Sequence, residues 1–372
     1  MSKRRVGFLI PRLKEGGAEY VAREWATWLS EHGDIVDVIL TDAGSDVEDV
    51  GNAGFNVQRL TSNGWFRKSL ELRSLAKHRE YDVVVGLMPY WNLMALSLKA
   101  LRGAQKPVVI ISNRNSETTL RDVLSIKYRV LTSASRVFYR FADSAIAISH
   151  PIAAEMTARY AVPQSKIWVV PNPATAKVSR SSEQSRADGG EERTNAVVNI
   201  VVPARLVSQK RPMLALETAR ALAGSLHTEV HYFGSGPLRD AVARRAEELG
   251  VAAHFHGWVD AWYAELPENA VVVLPSVAEG LANVLIEAAA VGVPSVASSR
   301  ALGVADAIIP GVTGCLIPDD SPSSFARGVK EALKCDPSLA AAWLEQYSIE
   351  HSGSRLLEVL DTAMAHRTSY LP

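Results

Sequence analysis

The chain is predicted to be an α/β protein built from two parallel-sheet domains. Three observations lead there. Strand-like and helix-like runs alternate along all 372 residues, which is the pattern of parallel sheets covered by helices. The strand runs are continuously apolar and β-branched rather than alternating, as sheets covered on both faces require. Near the middle, residues 174–196 are polar, rich in Ser, Arg and Glu, and nearly free of large apolar side chains. Such a stretch reads as a linker or loop.

In the first half the strands are expected at Val6–Ile10, Ile35–Leu40, Val83–Leu87, Val108–Ser112, Ala145–Ser149 and Ile167–Pro171. Helices are expected between them at Ala18–Ser30, Lys68–His78, Trp91–Leu101 and Leu120–Phe141. These make residues 1–173 one domain. A second runs over 197–349, with strands at Val198–Pro203, Val230–Phe233, His254–Gly257, Ala270–Leu274 and Ser295–Ala297. Its helices are expected near 212–224, 237–249 and 282–291, and helical runs follow at Ser323–Leu333, Ser338–Tyr347 and Ser354–Ala365. In sheets of this kind ligands bind beyond the carboxyl ends of the strands.

Hydrophobic residues make up 47% of the chain, enough for two real cores. Basic and acidic side chains each number 40, but residues 1–172 carry a net charge of +6 and the remainder −6. A basic first half suits an anionic partner such as a phospholipid surface or a lipid diphosphate. The two cysteines, Cys315 and Cys335, fit neither a disulfide framework nor a metal pattern. A reducing cytoplasm is the expected location. No run of 18 apolar residues occurs, and the short apolar run after MSKRR reads as a first strand rather than a signal peptide.

The most informative segment is PSVAEGLANVLIEAAAVGVPSVAS, residues 275–298. Glu279 lies in a loop after a buried strand, and Glu287 lies eight positions on, inside the following helix. Helix amides that end at a loop attract anions. A carboxylate there repels them, so Glu279 is expected to face neutral hydroxyls, as on a sugar. Glu287 can accept hydrogen bonds from a vicinal diol such as a ribose. For two glutamates alone, the simpler reading is a loop acid and a solvated helix acid. The whole EGLANVLIEA string between a strand and GVP, however, resembles the donor-sugar and ribose signature of retaining glycosyltransferases of family four, the group 1 glycosyltransferases.

That resemblance implies the GT-B fold, two Rossmann-like domains facing a central cleft, with a last helix (350–372) crossing back to the N-terminal domain. It also implies that Gly280, Leu281, Ala282 and Asn283 bind the donor together with Glu287, and that Glu279 serves the transferred sugar. Other segments agree. Gly16 and Gly17 in PRLKEGGAEY can expose helix amides to an anion, and the family places this loop near the donor diphosphate. Arg205 and Lys210 in VVPARLVSQKRP can clamp a diphosphate and stabilise the charge that grows as it leaves; Arg211 competes with Lys210 for that role. Gly236 in FGSGPLRD resembles a segment packed near the nucleotide. His256, Gly257 and Trp258 in HFHGWVD resemble one that contacts the base. Gly303 and Asp306 occupy the glycine-rich loop after the donor helix, where one glycine of the usual pair is missing.

In the first domain the family's histidine near the reacting sugar is absent. Arg114 and Asn115 stand in its stretch, IISNRNSE, and with Glu19 form the expected acceptor side. No Asp-x-Asp pair lies in a strand-end loop, so no metal and no cofactor is expected: the diphosphate would be neutralised by Arg205, Lys210 and amides. Residues 120–141 carry five cations and one acid. Leu120, Leu124, Leu131, Ala134, Phe138 and Phe141 make one apolar stripe, with Arg129, Arg136 and Arg140 off it. This helix either packs its stripe inward or docks on anionic lipid. Residues 65–79 are similarly basic with an aromatic lead.

The expected activity is metal-independent transfer of a hexosyl or N-acetylhexosaminyl group, with UDP the expected nucleotide. The acceptor would be a glycan or lipid-linked acceptor in cell-surface polysaccharide assembly. The donor would bind the second domain and the acceptor the first, with closure over the diphosphate excluding water. No nucleic acid is expected as partner, whereas peripheral contact with an anionic membrane is. The alternative is a non-catalytic GT-B nucleotide-sugar-binding assembly partner.

Overall fold

The computed structural model describes residues 3–13, 16–42, 54–101, 106–117, 126–181 and 197–368. The chain divides into two compact units. One comprises Met1–Pro173 with Ile349–Pro372, and the other is Ala174–Ser348.

The first unit is a seven-stranded parallel sheet. Its strands are β1 (Arg5–Ile10), β2 (Ile35–Leu40), β3 (Asn56–Arg59), β4 (Val83–Leu87), β5 (Val108–Asn113), β6 (Ser144–Ala147) and β7 (Ile167–Val169), in the order β3-β2-β1-β4-β5-β6-β7. The β-branched runs of β1, β4 and β5 are buried throughout, as a sheet covered on both faces demands. β3 has the sequence NVQR, half-exposed at the sheet edge, and a polar edge strand gives no apolar run to read. The helix His150–Tyr160 is an addition to the sequence reading, with proline in its first turn where it is tolerated. The expected helix Trp91–Leu101 is instead an α-helix, Pro89–Leu96, followed by a 3₁₀ turn, Ser97–Ala100.

The helix expected over Leu120–Phe141 is described from Ile126 to Phe138, followed by a 3₁₀ turn to Phe141. Leu120 and Leu124 lie outside the described residues. The face packed inward is not the expected apolar stripe. Thr132, Ser135 and Tyr139 are buried, while Phe138 and Phe141 are exposed. Tyr139 fixes this rotation: its hydroxyl accepts a hydrogen bond from the buried Asn92 amide at 2.9 Å.

The last helix, Ile349–Thr368, belongs to the first unit. Leu356, Val359, Leu360 and Ala363 enter the core around Trp25, Trp28 and Leu29. The indole N–H of Trp25 donates to Ser352 Oγ at 2.9 Å, and Ser352 in turn donates to the Pro171 carbonyl at 2.5 Å. The next residue is glycine because a Cβ at Gly353 would stand 2.4 Å from the Trp28 ring.

The second unit is a six-stranded parallel sheet. Its strands are β8 (Val198–Val202), β9 (Thr228–Phe233), β10 (Ala253–Gly257), β11 (Ala270–Leu274), β12 (Ser295–Ser298) and β13 (Gly314–Ile317), in the order β10-β9-β8-β11-β12-β13. β13 is an addition to the sequence reading. It opens on Gly314, where a Cβ would lie 1.9 Å from the Ser295 carbonyl oxygen. The polar stretch 174–196 is not wholly linker. Ala174 is buried and Thr175–Ser181 is helical, packed against the helix Asn283–Ala290; residues 182–196 lie outside the described residues. The run Ser338–Tyr347 is two 3₁₀ turns around one short α-helix, Ala341–Leu344. Cys315 and Cys335 are free thiols close enough for Cys335 to contribute to the raised thiol pKa of Cys315, after burial, a proximity their spacing did not announce. Among the described residues, no helix is long and apolar enough to cross a membrane.

Ser352→Ala should leave the buried Trp25 N–H without a partner, at a cost of about 1–3 kcal/mol. Gly353→Val should cost a similar amount by overpacking the Trp28 ring. Thermal unfolding of both variants checks this: an unchanged transition in both would mean that this helix does not depend on the two tryptophans.

Candidate functional site

In the second unit the strand order reverses between β8 and β11, the position where ligands bind in such sheets. The two loops leaving this point are fastened to each other. Gln209 bonds twice across them: its side-chain amide donates to the Ala278 carbonyl at 2.8 Å, and its own carbonyl accepts from the Val277 N–H at 2.9 Å. Beside this clasp, Lys210 Nζ donates to Glu279 Oε1 at 2.5 Å, with both side chains largely buried. Glu279 was expected to face hydroxyls alone; in the structure its carboxylate is held by the cation expected to hold phosphate.

Arg211 is committed elsewhere, which separates it from Lys210. Its backbone is left-handed, at φ 45°. Its guanidinium donates to the Pro275 carbonyl at 2.6 Å and forks onto Asp320 at 2.6 and 2.8 Å. That fork, with Ser298 and Arg300, lowers Asp320 to about 2. Arg205 has an exposed side chain on the same loop. Asp319 accepts from Ser321 and Ser324 and so fastens the start of the helix Pro322–Ala332.

Glycines set the loops around this point. A Cβ at Gly234 would lie 2.1 Å from the Ala204 carbonyl oxygen, and one at Gly236 would lie 2.5 Å from that of Leu206. The FGSG turn therefore packs directly on the loop carrying Arg205, and this packing alone requires Gly236. Gly303 does the same for the loop of Glu279: a Cβ there would be 2.3 Å from the carbonyl oxygens of both Glu279 and Gly280. One glycine suffices for that contact. Asp306 presents its backbone carbonyl to the hydroxyl of Tyr347.

Gly280, Leu281 and Ala282 are buried, and Ala282 turns the chain with φ 60° into the helix Asn283–Ala290. Asn283 opens that helix. Glu287 is 7% exposed rather than solvated. Its Oε2 accepts the indole N–H of Trp262 at 2.7 Å. Burial raises the Glu287 carboxyl above the usual range, opposed by this hydrogen bond and by Lys177. Trp262 went unnoticed in the sequence because it sits in a 3₁₀ turn with no motif around it. Trp258, which was singled out, is 58% exposed. His256 is exposed and stacks on Phe233, with centroids 4.2 Å apart and planes 3° apart. Gly257 has φ 73° and no atom within 4 Å of a Cβ position, so its face is open. Burial, with His254 and His256 close by, lowers His231 to about 4.

In the first unit the expected amide pocket at Gly16 and Gly17 is partly filled. The Glu19 carboxylate folds back over Gly16, so that a Cβ there would meet Glu19 Oε2 at 2.1 Å, whereas Gly17 is open. A carboxylate in the first turn of the helix Gly17–Glu31 takes the place an anion would take. Arg114 follows β5 and lies with its guanidinium 5.0 Å from the centre of the Trp25 ring. It donates to Asn172 Oδ1 at 2.6 Å. Burial lowers Arg114 to about 9, and the nearby Glu19 charge opposes that shift. Asn172 and Trp25 are therefore partners of this site that sequence reading missed. Asn115 is occupied locally, its Oδ1 accepting from the Ser116 N–H at 2.9 Å.

Two family models match the chain in succession. Glycosyltransferase Family 4 covers residues 15–176 and Glycosyl transferases group 1 covers residues 198–335. The chain belongs to the group 1 glycosyltransferases. A curated relative from Campylobacter jejuni, an α-1,4-N-acetyl-D-galactosaminyltransferase acting on an undecaprenol-diphosphate-linked glycan, is 25% identical over 342 residues, 88% of this chain and 89% of the relative. The Vi polysaccharide biosynthesis protein VipC/TviE of Salmonella typhi is 40% identical over 136 residues, 35% of this chain and 23% of that one. Among solved structures, the lipopolysaccharide outer core galactosyltransferase WaaB in its apo form superposes with a TM-score of 0.76 at 18% identity, over 96% of this chain and 99% of that one. Anabaena Alr3699/HepE in complex with UDP and glucose gives 0.73 at 17%, over 96% and 100%. The fold of this glycosyltransferase is thus GT-B, with two Rossmann-like domains.

Close to the Arg114 loop, Glu117 is buried beside the Tyr160 and Tyr139 hydroxyls. Its oxygens make no hydrogen bond of ordinary geometry among the described residues. Burial raises it to about 8, and Glu155 adds to the shift. Between the ordinary glutamate range and pH 8 the folded state keeps this proton and the unfolded state has lost it. Stability should therefore fall as pH rises through that window, by up to about 1.4 kcal/mol per pH unit. Melting of wild type and Glu117→Gln from pH 5 to 8 tests this: the variant should gain on wild type as pH rises, and parallel curves would place the titration elsewhere.

Proposed function

We propose that this glycosyltransferase moves a hexosyl or N-acetylhexosaminyl group from a UDP-sugar, with retention at the anomeric carbon, to a glycan or lipid-linked acceptor in cell-surface polysaccharide assembly. The observation that carries the reading is the Lys210–Glu279 pair at the strand reversal of the second unit. Donor specificity is supported by the names of the relatives: one transfers N-acetylgalactosamine to a lipid-diphosphate-linked glycan, and one structure holds UDP with glucose.

In this reading Lys210 and Arg205 receive the diphosphate. Glu279 positions Lys210 for the donor, and then meets the sugar hydroxyls. Glu287, oriented by Trp262, accepts from the ribose diol. The bond from the anomeric carbon to the phosphate oxygen breaks as the acceptor oxygen bonds to the same face. The acceptor proton passes to the departing phosphate oxygen, so no side-chain nucleophile is assigned. Cations and amides neutralise the diphosphate without a metal. Arg114, held by Asn172 and facing Glu19, is the acceptor-side cation of the first unit. The protein would act in the cytoplasm, at the inner face of the membrane.

Nucleotide release from UDP-, GDP- and ADP-sugars, in EDTA, with and without bacterial lipid extract, tests the assignment. Release should depend on lipid and on one UDP-sugar. Lys210→Ala and Glu279→Gln should each lower the rate roughly 10²–10³-fold. Saturable donor binding with no release under any acceptor would favour the non-catalytic assembly partner. A reaction abolished by EDTA and restored by Mg²⁺ would overturn metal independence.

A membrane contact has its own support. Ile126, Val130, Val137 and Phe141 recur at helical spacing on the helix of residues 126–138 and the turn after it, and all are exposed, Val130 to 65%. Arg129, Arg136 and Arg140 flank them. An apolar line edged by cations is the pattern of a helix lying in an anionic interface. Val130→Glu should abolish most co-sedimentation with phosphatidylglycerol vesicles while leaving the melting temperature unchanged. Equal binding by wild type and variant would move the contact elsewhere.

A further inference from the structure

The edge of the second sheet carries a cluster of which the donor reading uses only His256. Strands β9 and β10 pair in parallel, with His254 opposite His231. Glu229 and His231 alternate on β9, and His254 and His256 alternate on β10, so all four side chains share one face. The rings of His231 and His254 stack at 4.6 Å, and those of His231 and His256 at 5.4 Å. One donor atom each from Glu229, His231 and His254 lies within 4.8 Å of the others. His254 Nε2 stands 2.9 Å from Glu229 Oε2, and His231 Nδ1 stands 3.1 Å from His256 Nε2.

The environment of His231 is organised for coordination. Its Nε2 faces Asn199 Oδ1 at 3.0 Å. The Asn199 amide nitrogen donates to the Glu268 carbonyl at 2.6 Å, which fixes the oxygen toward the histidine. An amide oxygen only accepts, so the ring proton sits on Nε2 and the lone pair sits on Nδ1. A polar partner that holds the far nitrogen is what a metal-binding histidine ordinarily has. Donor atoms around a tetrahedral ion at about 2.0–2.1 Å stand roughly 3.3 Å apart. The two close pairs already have about that spacing; Glu229, His231 and His254 lie within reach of one ion, and His256 joins them through His231.

We propose that Glu229, His231, His254 and His256 form a binding site for a divalent transition-metal ion of the Zn²⁺ type. Three imidazoles and one carboxylate select such an ion over Mg²⁺ or Ca²⁺, which take oxygen donors. The site joins the edge strand β10 to β9 by side chains, at a place where β10 has, among the described residues, one neighbouring strand. It lies outside the strand reversal that carries Lys210 and Glu279, and Glu229, His231 and His254 take no part in the reading of the reaction.

The test uses the full chain, freed of metal and of any histidine tag, with Zn²⁺ in equilibrium dialysis and in thermal melting. One ion per chain should bind with micromolar or tighter affinity and raise the melting temperature. His254→Gln and His256→Gln should each weaken binding at least tenfold, whereas His227→Gln should not. Asn199→Asp, which keeps an acceptor toward His231, should retain binding. Co²⁺ should give the intense visible absorption of a tetrahedral site in wild type and lose it in His254→Gln. No binding at micromolar Zn²⁺, or equal binding by wild type and the two histidine variants, would overturn the proposal.

Discussion

Two loops of the second unit are clasped at the place where its strand order reverses. The Gln209 hydrogen bonds to Ala278 and Val277 bring the loop after β8 against the loop after β11. Only because of that clasp does Lys210 meet Glu279, sixty-nine positions later in the chain. The surrounding glycines serve the same approach, since Gly234, Gly236 and Gly303 each stand where a Cβ would strike a neighbouring carbonyl. The cation and the carboxylate hold each other in place, both largely covered from solvent.

The same economy governs Arg211 and Glu287. Arg211 is adjacent to Lys210 and equal in charge, yet its left-handed backbone turns its guanidinium onto Asp320 and Pro275, where it braces β12 and the helix start instead. Glu287 is buried, and a buried carboxylate needs a partner; Trp262 supplies one. In the first unit Arg114 is similarly placed, between a tryptophan face, an asparagine oxygen and the charge of Glu19. The chain thus holds three of its candidate groups by partners drawn from distant elements.

Much of this was legible. The parallel strands were readable because burial on both faces forces continuous apolar runs, and all but β3 and β13 were located. The EGLANVLIEA string was readable because glycine, carboxylate and helix boundary fall in a fixed order. What failed was anything set by partners. The helix that follows Ile126 carries one apolar stripe in its sequence, and periodicity cannot say whether that stripe packs inward. The hydrogen bond from Asn92 to Tyr139 chooses, and it leaves Phe138 and Phe141 outside. Trp262 and Asn172 carried no local signal, since their value lies in one hydrogen bond each.

The sequence by itself determined the two α/β domains and the family, because both are encoded in local order and composition. Tertiary structure alone decided which cation pairs with Glu279, that Glu19 folds over Gly16, that Glu287 is buried against Trp262, and that three histidines and a glutamate share one sheet edge. Each of those depends on residues far apart in the chain being brought within a hydrogen bond of one another, and that distance is set by strand order and loop packing.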